Sequence, residues 1–300
     1  MILSARSGTW LAPRLVVIPL LLSAALYAED RAQGPLRELA TPVRVALMPG
    51  GRLLVSDYDA RAIRVLSQLD LSVQRSFAIA GKPVAVAWGL GRIFVGNETL
   101  GRVEAYNLGG QLMATFGETG SILLPNAVAV DTESSLVMVL DAAAKVIKVF
   151  DLDGRFLLLL TQPGALENPS AMAFDPARQL VLISDFGAFS NSVFAKPKPF
   201  VRQFDLRGTE QIKFTGTFAR PQGISVDDLG RLYVVDSYKS QVQVLDAASG
   251  VLLGVLGSLG SGPGELNLPL DVVYSAESGK LYVTDNRNHR ITTFAPRETP

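Results

Sequence analysis

One pattern of residues recurs six times along this chain, and it constrains the fold more than any other feature. Each copy opens with a proline and an alternating apolar run, followed by a turn and a second apolar run that ends in Asp or Asn. The six prolines are Pro42, Pro83, Pro125, Pro169, Pro221 and Pro269. Successive prolines lie 41, 42, 44, 52 and 48 residues apart. Six short copies predict a repeat architecture, in which each unit buries its apolar faces against its neighbours.

The runs within each copy have the character of β-strands. Apolar residues alternate with a period of two, β-branched residues are frequent, and Gly, Asp and Pro occupy the turns. A third run follows in every copy, and a fourth fills most of the spacers. Four strands in each unit of 40 to 50 residues predict an all-β, six-bladed β-propeller of four-stranded blades. The chain has only two tryptophans, which excludes a WD40 pattern, and paired glycines do not recur as kelch repeats require.

The last copy resembles a known repeat. Its segments 260–269 and 283–291 are similar to an NHL repeat, with Asn288 and His289 followed by Arg290 where the family name has Leu. Residues 221–227 match the same pattern in outline. The resemblance covers roughly residues 35–295 and implies an exported bacterial six-bladed propeller. It defines the fold far better than the function.

The ends of the repeat predict how the ring closes. The sixth copy stops after its third run, close to the end of the chain, and so lacks an outer strand. Residues 35–40, with Leu36 and Leu39, precede the first proline. We expect this N-terminal segment to complete the last blade, because closure removes an exposed strand edge.

The N-terminus resembles a secretory signal peptide. Arg6 and Arg14 precede an apolar run over 15–26, and small residues follow it. This run is too short for a membrane span. We therefore expect a signal peptide over 1–28, with cleavage after Ala28 or alternatively Ala25, a linker over 29–34, the propeller over 35–295 and a tail over 296–300. The expected location is periplasmic or extracellular, with no stable membrane span after the signal is removed.

Composition excludes several kinds of site. The chain has 28 basic and 28 acidic residues, so its net charge does not favour nucleic acid. It has no cysteine, which rules out disulfides, thiolate metal sites and cysteine nucleophiles. A single histidine rules out a His-rich metal centre. No cofactor is expected.

Two charged residues stand out on the predicted inner strands. The second residue after each proline is Ala or Gly in four copies but Arg44 in the first and Asp271 in the sixth. Ring closure makes these copies neighbours. The pair is either a charged spot for an anionic or zwitterionic ligand at the channel mouth or an ion pair that helps closure, and we favour the ion pair.

Short polar residues end every second run and predict a ring at one rim. They are Asp57, Asn97, Asp141, Asp185, Asp236 and Asp285. Such a ring could hold a cation, but each side chain is more simply a cap on the backbone of its following turn. His289 could be a general base, although its place in the repeat favours a turn residue.

The fourth copy carries an insertion of ten residues between its second and third runs. It lies within 186–200 and contains four phenylalanines and two lysines, namely Phe186, Phe189, Phe194, Phe200, Lys196 and Lys198. So many phenylalanines indicate either a lid that packs onto this chain or an apolar patch for a partner. Insertions in repeat folds often lie on the binding face.

Two classes of function follow. The first is a noncatalytic scaffold that binds a protein or ligand through the insertion, and we expect an unidentified protein partner and a monomeric chain. The second is a propeller enzyme: a calcium-dependent lactonase-like hydrolase, or a lyase, whose zinc site would need more histidines than this chain has. RNA binding, known for some NHL proteins, conflicts with export and zero net charge. We favour the scaffold.

Overall fold

The computed structural model describes residues 39–188, 198–215 and 217–296. Blade one consists of β1 (Pro42–Met48), β2 (Arg52–Asp57), β3 (Ala62–Ser67) and β4 (Val73–Ala78). Blade two consists of β5 (Pro83–Gly89), β6 (Arg92–Asn97), β7 (Arg102–Tyr106) and β8 (Leu112–Phe116). Blade three consists of β9 (Pro125–Asp131), β10 (Leu136–Asp141), β11 (Val146–Phe150) and β12 (Phe156–Leu159).

The remaining blades follow the same plan. Blade four consists of β13 (Pro169–Asp175), β14 (Leu180–Asp185), β15 (Phe200–Asp205) and β16 (Glu210–Thr215). Blade five consists of β17 (Pro221–Val226), β18 (Arg231–Asp236), β19 (Gln241–Asp246) and β20 (Leu252–Leu256). A short pair, β21 (Ser258–Leu259) and β22 (Glu265–Leu266), precedes blade six. Blade six consists of β23 (Pro269–Ser275), β24 (Lys280–Asp285), a 3-10 helix (Asn286–Asn288) and β25 (Arg290–Phe294).

The predicted six-bladed, all-β propeller is confirmed. Strands within each blade pair antiparallel in sequence order. Each repeat proline begins the inner strand and is paired with the polar residue that ends the second strand, as in Pro42 with Asp57. Prolines and polar termini therefore lie on one face of the ring, which we call the rim face. No helix within the described ranges is long and apolar enough to cross a membrane.

The core lies between blades rather than within any one of them. Phe94 and Phe116 of blade two, for example, pack with Val137 and Phe150 of blade three. The inner three strands are mostly buried, whereas outer strands such as β12 are exposed. A blade alone would leave both apolar faces in water, which is why the repeats need one another.

Closure by an N-terminal strand remains a prediction. Blade six has three strands within the described ranges, and residues 35–38 lie outside them. Leu39 is buried in a cluster with Tyr282 and Ile291 of blade six, and the carbonyl oxygen of Ala40 contacts Nδ1 of His289. The chain therefore reaches β1 from beside the start of β25, where a strand antiparallel to β25 would end.

Candidate functional site

The side chain of Arg44 reaches across the central channel. Its Nε donates to the carbonyl oxygen of Asn126 in blade three at 3.2 Å, and its Nη2 to that of Ser170 in blade four at 2.7 Å. Nη1 lies 3.4 Å from the carbonyl oxygen of Leu270 and 3.7 Å from Oδ1 of Asp271, both in blade six. One guanidinium thus links four of the six blades. The predicted ion pair forms, and Arg44 also closes the channel near the rim face.

Asp271 is also held in place by contacts with neighbouring blades. Its Oδ2 accepts the backbone N–H of Val45 at 3.0 Å, and a Cβ built on Gly223 would lie 2.2 Å from its Oδ1. The residue at that repeat position in blade five is therefore glycine because the neighbouring carboxylate occupies the space. Burial raises the pKa of Asp271 to about 6, although Arg44 and the N–H of Val45 act in the opposite direction. Burial likewise lowers the pKa of Arg44, and Asp271 opposes that shift.

The raised pKa of Asp271 predicts a pH dependence of stability. The folded protein holds this proton more tightly than the unfolded chain, so the contribution is complete below pH 4 and is lost as the pH rises through 6. Between pH 4 and pH 7 we expect wild type to lose on the order of 2 kcal/mol of unfolding free energy relative to Asp271→Asn. Urea titrations of both proteins at several pH values measure this difference. A difference that stays constant with pH would contradict the prediction.

The polar residues at the rim bind backbone rather than forming an open ring. All five aspartates accept N–H groups from the loop just before the proline of their own blade. Asp57 accepts Ala40 and Thr41, and Asp285 accepts Asn267. The sequence reasoning placed these caps on the following turn, which the structure shows for Asn97, Asp141 and Asp185. The pre-proline loop is the partner that it missed, because that loop precedes Asp57 by more than 15 residues in sequence.

Asp141 shows how completely these carboxylates are occupied. It is fully buried and accepts the N–H groups of Leu123, Leu124 and Ala144, with Nζ of Lys148 at 2.8 Å. Burial acts to raise its pKa, but hydrogen bonds from Lys148 and the backbone outweigh burial, and the pKa is lowered. Within the described ranges, no group of three or more His, Asp or Glu side chains could hold a metal ion. The rim aspartates thus have a structural role, in which they accept hydrogen bonds from backbone N–H groups.

His289 occupies a turn position that recurs in the ring. It follows the 3-10 helix with a left-handed backbone, at φ 56°. The residues four positions after the polar terminus in blades one, two, three and five also have positive φ, and they are Arg61, Gly101, Lys145 and Ser240. The backbone conformation therefore supports the interpretation of His289 as a turn residue.

The described ends of the insertion differ in their exposure. Phe186 is half-buried and Lys198 is exposed. Phe200 is not loop: it is the first residue of β15, only 2% exposed, and lies beneath Lys213 and Arg202. It cannot present its ring to a partner, because strand pairing with Asp185 and Thr215 holds it in the blade. Phe189, Phe194 and Lys196 lie outside the described residues.

Two residues that the sequence reasoning missed join Phe186 at the rim. The guanidinium of Arg220 lies 5.2 Å from the centroid of the Phe186 ring and 4.9 Å from that of Tyr238. Nη1 of Arg220 also donates to the Tyr238 hydroxyl at 2.6 Å. Tyr238 is 66% exposed. We call Phe186, Arg220 and Tyr238 the rim cluster, and it spans blades four and five.

Blades one and two carry a similar arrangement of a cation over an aromatic ring, but there an acid is also present. Tyr58 occupies the repeat position of Phe186, and Lys82, in the position of Arg220, lies 4.3 Å from its ring centroid. There Glu98 accepts the hydroxyl of Tyr58 at 2.6 Å. Burial and the bond to Glu98 raise the pKa of Tyr58, with the bond the larger cause. Arg220, in contrast, forms no ion pair with any of the described residues. The shared repeat position of Lys82 and Arg220 is visible in the sequence, whereas their contacts with the rim rings are not.

Comparisons with known proteins agree with the architecture. A model of the NHL repeat matches residues 218–245 and 266–294, in blades five and six. A solved structure of Kuenenia stuttgartiensis hydrazine synthase superimposes with a TM-score of 0.65 at 11% identity, covering 89% of this chain and 99% of that one. At this identity the likeness concerns the fold alone. No curated protein matches the chain. The protein is a six-bladed β-propeller, and its fifth and sixth blades match the NHL repeat.

Proposed function

We propose that this propeller is a noncatalytic binding protein that holds an acidic segment of a partner protein at the rim cluster. The observation that carries this proposal is the arginine of the cluster. The guanidinium of Arg220 lies over two aromatic rings and is hydrogen-bonded to one of them, yet it has no carboxylate partner among the described residues. The carboxylate of Asp236 binds the backbone N–H of Arg220 and not its side chain. A cation that is already oriented favours an incoming carboxylate, because little side-chain entropy remains to be lost.

The residues around the rim cluster also favour an acidic partner. Lys198 and Lys239 are exposed, and Lys239 directly follows Tyr238. Glu167, the acid at the root of the insertion, is paired with Arg202 at 3.1 Å and accepts the N–H of Ala188. The exposed ring of Tyr238 and the half-buried ring of Phe186 supply apolar area beside the guanidinium, which directs a carboxylate. Aromatic residues and arginine are frequent at the energetic centre of interfaces.

In this function the insertion extends the binding surface beyond the rim cluster. It leaves the blade directly after Phe186, and a Cβ on Gly187 would lie 2.6 Å from the carbonyl oxygen of Lys198, so its two ends are close together. Phe189, Phe194 and Lys196 would add apolar and basic contacts to the rim cluster. An extracytoplasmic location, proposed from residues 1–28, places the partner in the same compartment.

The test compares Arg220→Ala with Lys82→Ala. Both remove a cation that lies over a rim ring at the same repeat position, but only the ring beside Lys82 is hydrogen-bonded to an acid, Glu98. Proteins captured from the native extracytoplasmic fraction are quantified for wild type and for each variant. We expect Arg220→Ala to reduce capture of the specific partner at least tenfold, and Lys82→Ala to leave it within twofold. Thermal unfolding verifies that both variants are folded.

Two results would refute the proposal. Capture that survives Arg220→Ala would place the contact elsewhere. An equal loss with Lys82→Ala would show that general positive charge, and not the rim cluster, retains the partner. High salt should weaken capture by wild type, because an exposed cation and carboxylate are screened.

A further inference from the structure

The central channel forms a cavity that is separate from the rim cluster. It holds about 440 Å³, which lies within the usual range for small-molecule sites. At one end stand Arg44 and Asp271. At the other end the cavity reaches Thr132 and Pro176, which follow the inner strands of blades three and four on the face opposite the rim. The cavity is therefore a pocket with a charged floor and a mouth on the far face.

A ring of larger side chains surrounds the pocket toward its mouth. The fifth residue after each repeat proline lines it, and all six are half-buried. They are aromatic in blades two, four and six and aliphatic in blades one, three and five: Trp88, Phe174 and Tyr274 alternate with Leu47, Val130 and Val226. Below this ring the walls carry small residues such as Ala87 and Ala129. The pocket thus has an apolar, partly aromatic opening and walls of small residues below it.

The floor carries no net charge but offers a polar contact. Arg44 already contacts three carbonyl oxygens and one carboxylate. The side chain of Asp271 is 13% exposed, compared with 6% for Arg44, so the carboxylate is the more accessible of the two. Since the two charges neutralise each other, a charged ligand would lose its hydration without gaining an opposite charge. A neutral hydroxyl or amide loses less and can donate to Asp271.

We propose that the channel binds a small uncharged amphiphile, with its apolar body at the ring of Trp88, Phe174 and Tyr274 and a hydrogen-bond donor directed to the carboxylate of Asp271. This site is independent of the rim cluster, since the two lie at different faces. Its ligand is defined by three properties: an elongated shape, an apolar or aromatic body, and a neutral polar head.

Three probes of equal length separate the head groups: 4-phenylbutan-1-ol, 4-phenylbutylamine and 4-phenylbutyrate. The chain has two tryptophans, Trp10 and Trp88, so Trp10→Phe leaves Trp88 as the only tryptophan reporter. We expect the alcohol to change Trp88 fluorescence saturably, and the amine and the carboxylate to bind at least tenfold more weakly. Preference for either ion, or no saturable change with the alcohol, would overturn the proposal.

A blocking variant locates the binding. Val226→Phe places a ring where three other blades already carry one, and should weaken binding of the alcohol at least tenfold by filling the opening. Val251→Phe makes the same change at an exposed position, where the side chain is 58% exposed, and should leave binding unchanged. Val130→Phe is the second blocking variant if Val226→Phe does not fold. Undiminished binding in a folded blocking variant would overturn the site.

Discussion

Replacing Arg44 by alanine should destabilise the protein by about 3–5 kcal/mol, the range for removing one partner of a buried ion pair. The change removes hydrogen bonds to the carbonyl oxygens of Asn126 and Ser170, and it leaves Asp271 buried without its counter-charge. Because the guanidinium links blades one, three, four and six, the loss affects the ring as a whole. Chemical denaturation of wild type and Arg44→Ala measures the effect.

A double-mutant cycle tests whether the two charges act together. Asp271→Ala alone leaves Arg44 charged in a buried position, just as Arg44→Ala leaves Asp271. Each single change should therefore lower the free energy of unfolding by more than the loss of the removed side chain's own contacts. The double change should then cost less than the sum of the singles, by at least about 1 kcal/mol. Strict additivity would mean that Arg44 and Asp271 are independent, despite their separation of 3.7 Å.

A more exposed ion pair provides the matched control for the cycle. Arg178 and Asp175 lie 2.8 Å apart, but the arginine side chain is 40% exposed. We expect a coupling below about 1 kcal/mol there, because water screens the charges and solvates whichever one remains. If the exposed pair coupled as strongly as the channel pair, burial could not be the source of the effect.

Replacing Asp141 by alanine should cost about 3–4 kcal/mol. The carboxylate satisfies the N–H groups of Leu123, Leu124 and Ala144 and the ammonium of Lys148, and buried donors without acceptors are costly. The side chain is fully buried, so water cannot take its place without rearrangement of the loop. We expect a clear decrease in melting temperature and in the denaturant midpoint.

Asp151→Ala is the control for that substitution. Asp151 is also an aspartate that caps a turn, accepting the N–H groups of Asp153 and Arg155, but it is half-buried at the periphery of the same blade. Water can replace it there, so its loss should cost no more than about 1 kcal/mol. Equal costs for the two variants would contradict a special role for the rim carboxylates.

The rim carboxylates show how far sequence reasoning reached. The pattern of a proline followed by Asp or Asn, which recurs six times, predicted the number of blades, the strand order and a structural role for the polar termini. It did not predict that the carboxylates bind the loops before the prolines. A pattern read along the chain reports neighbours in sequence, whereas Asp285 and Asn267 meet only because β23 and β24 pair.

The insertion shows a different limit. Its composition indicated an apolar surface, but composition does not distinguish Phe186 at the rim from Phe200 inside blade four. Strand pairing made that distinction: residue 200 continues the ladder with Asp185, and residue 186 has passed its end. Arg220 was missed because its two aromatic partners come from different blades, and only the ring brings them together.

By itself the sequence determined the architecture, because alternation and turn residues within each copy, and the spacing between copies, can all be read along the chain. It also singled out Arg44 and Asp271, as the two charges at positions that are otherwise Ala or Gly. Only the tertiary structure decided that Arg44 reaches past the neighbouring blades to Asn126 in blade three and Ser170 in blade four. The physical reason is the convergence of six inner strands on one axis, where side chains from units more than 80 residues apart come within hydrogen-bond distance.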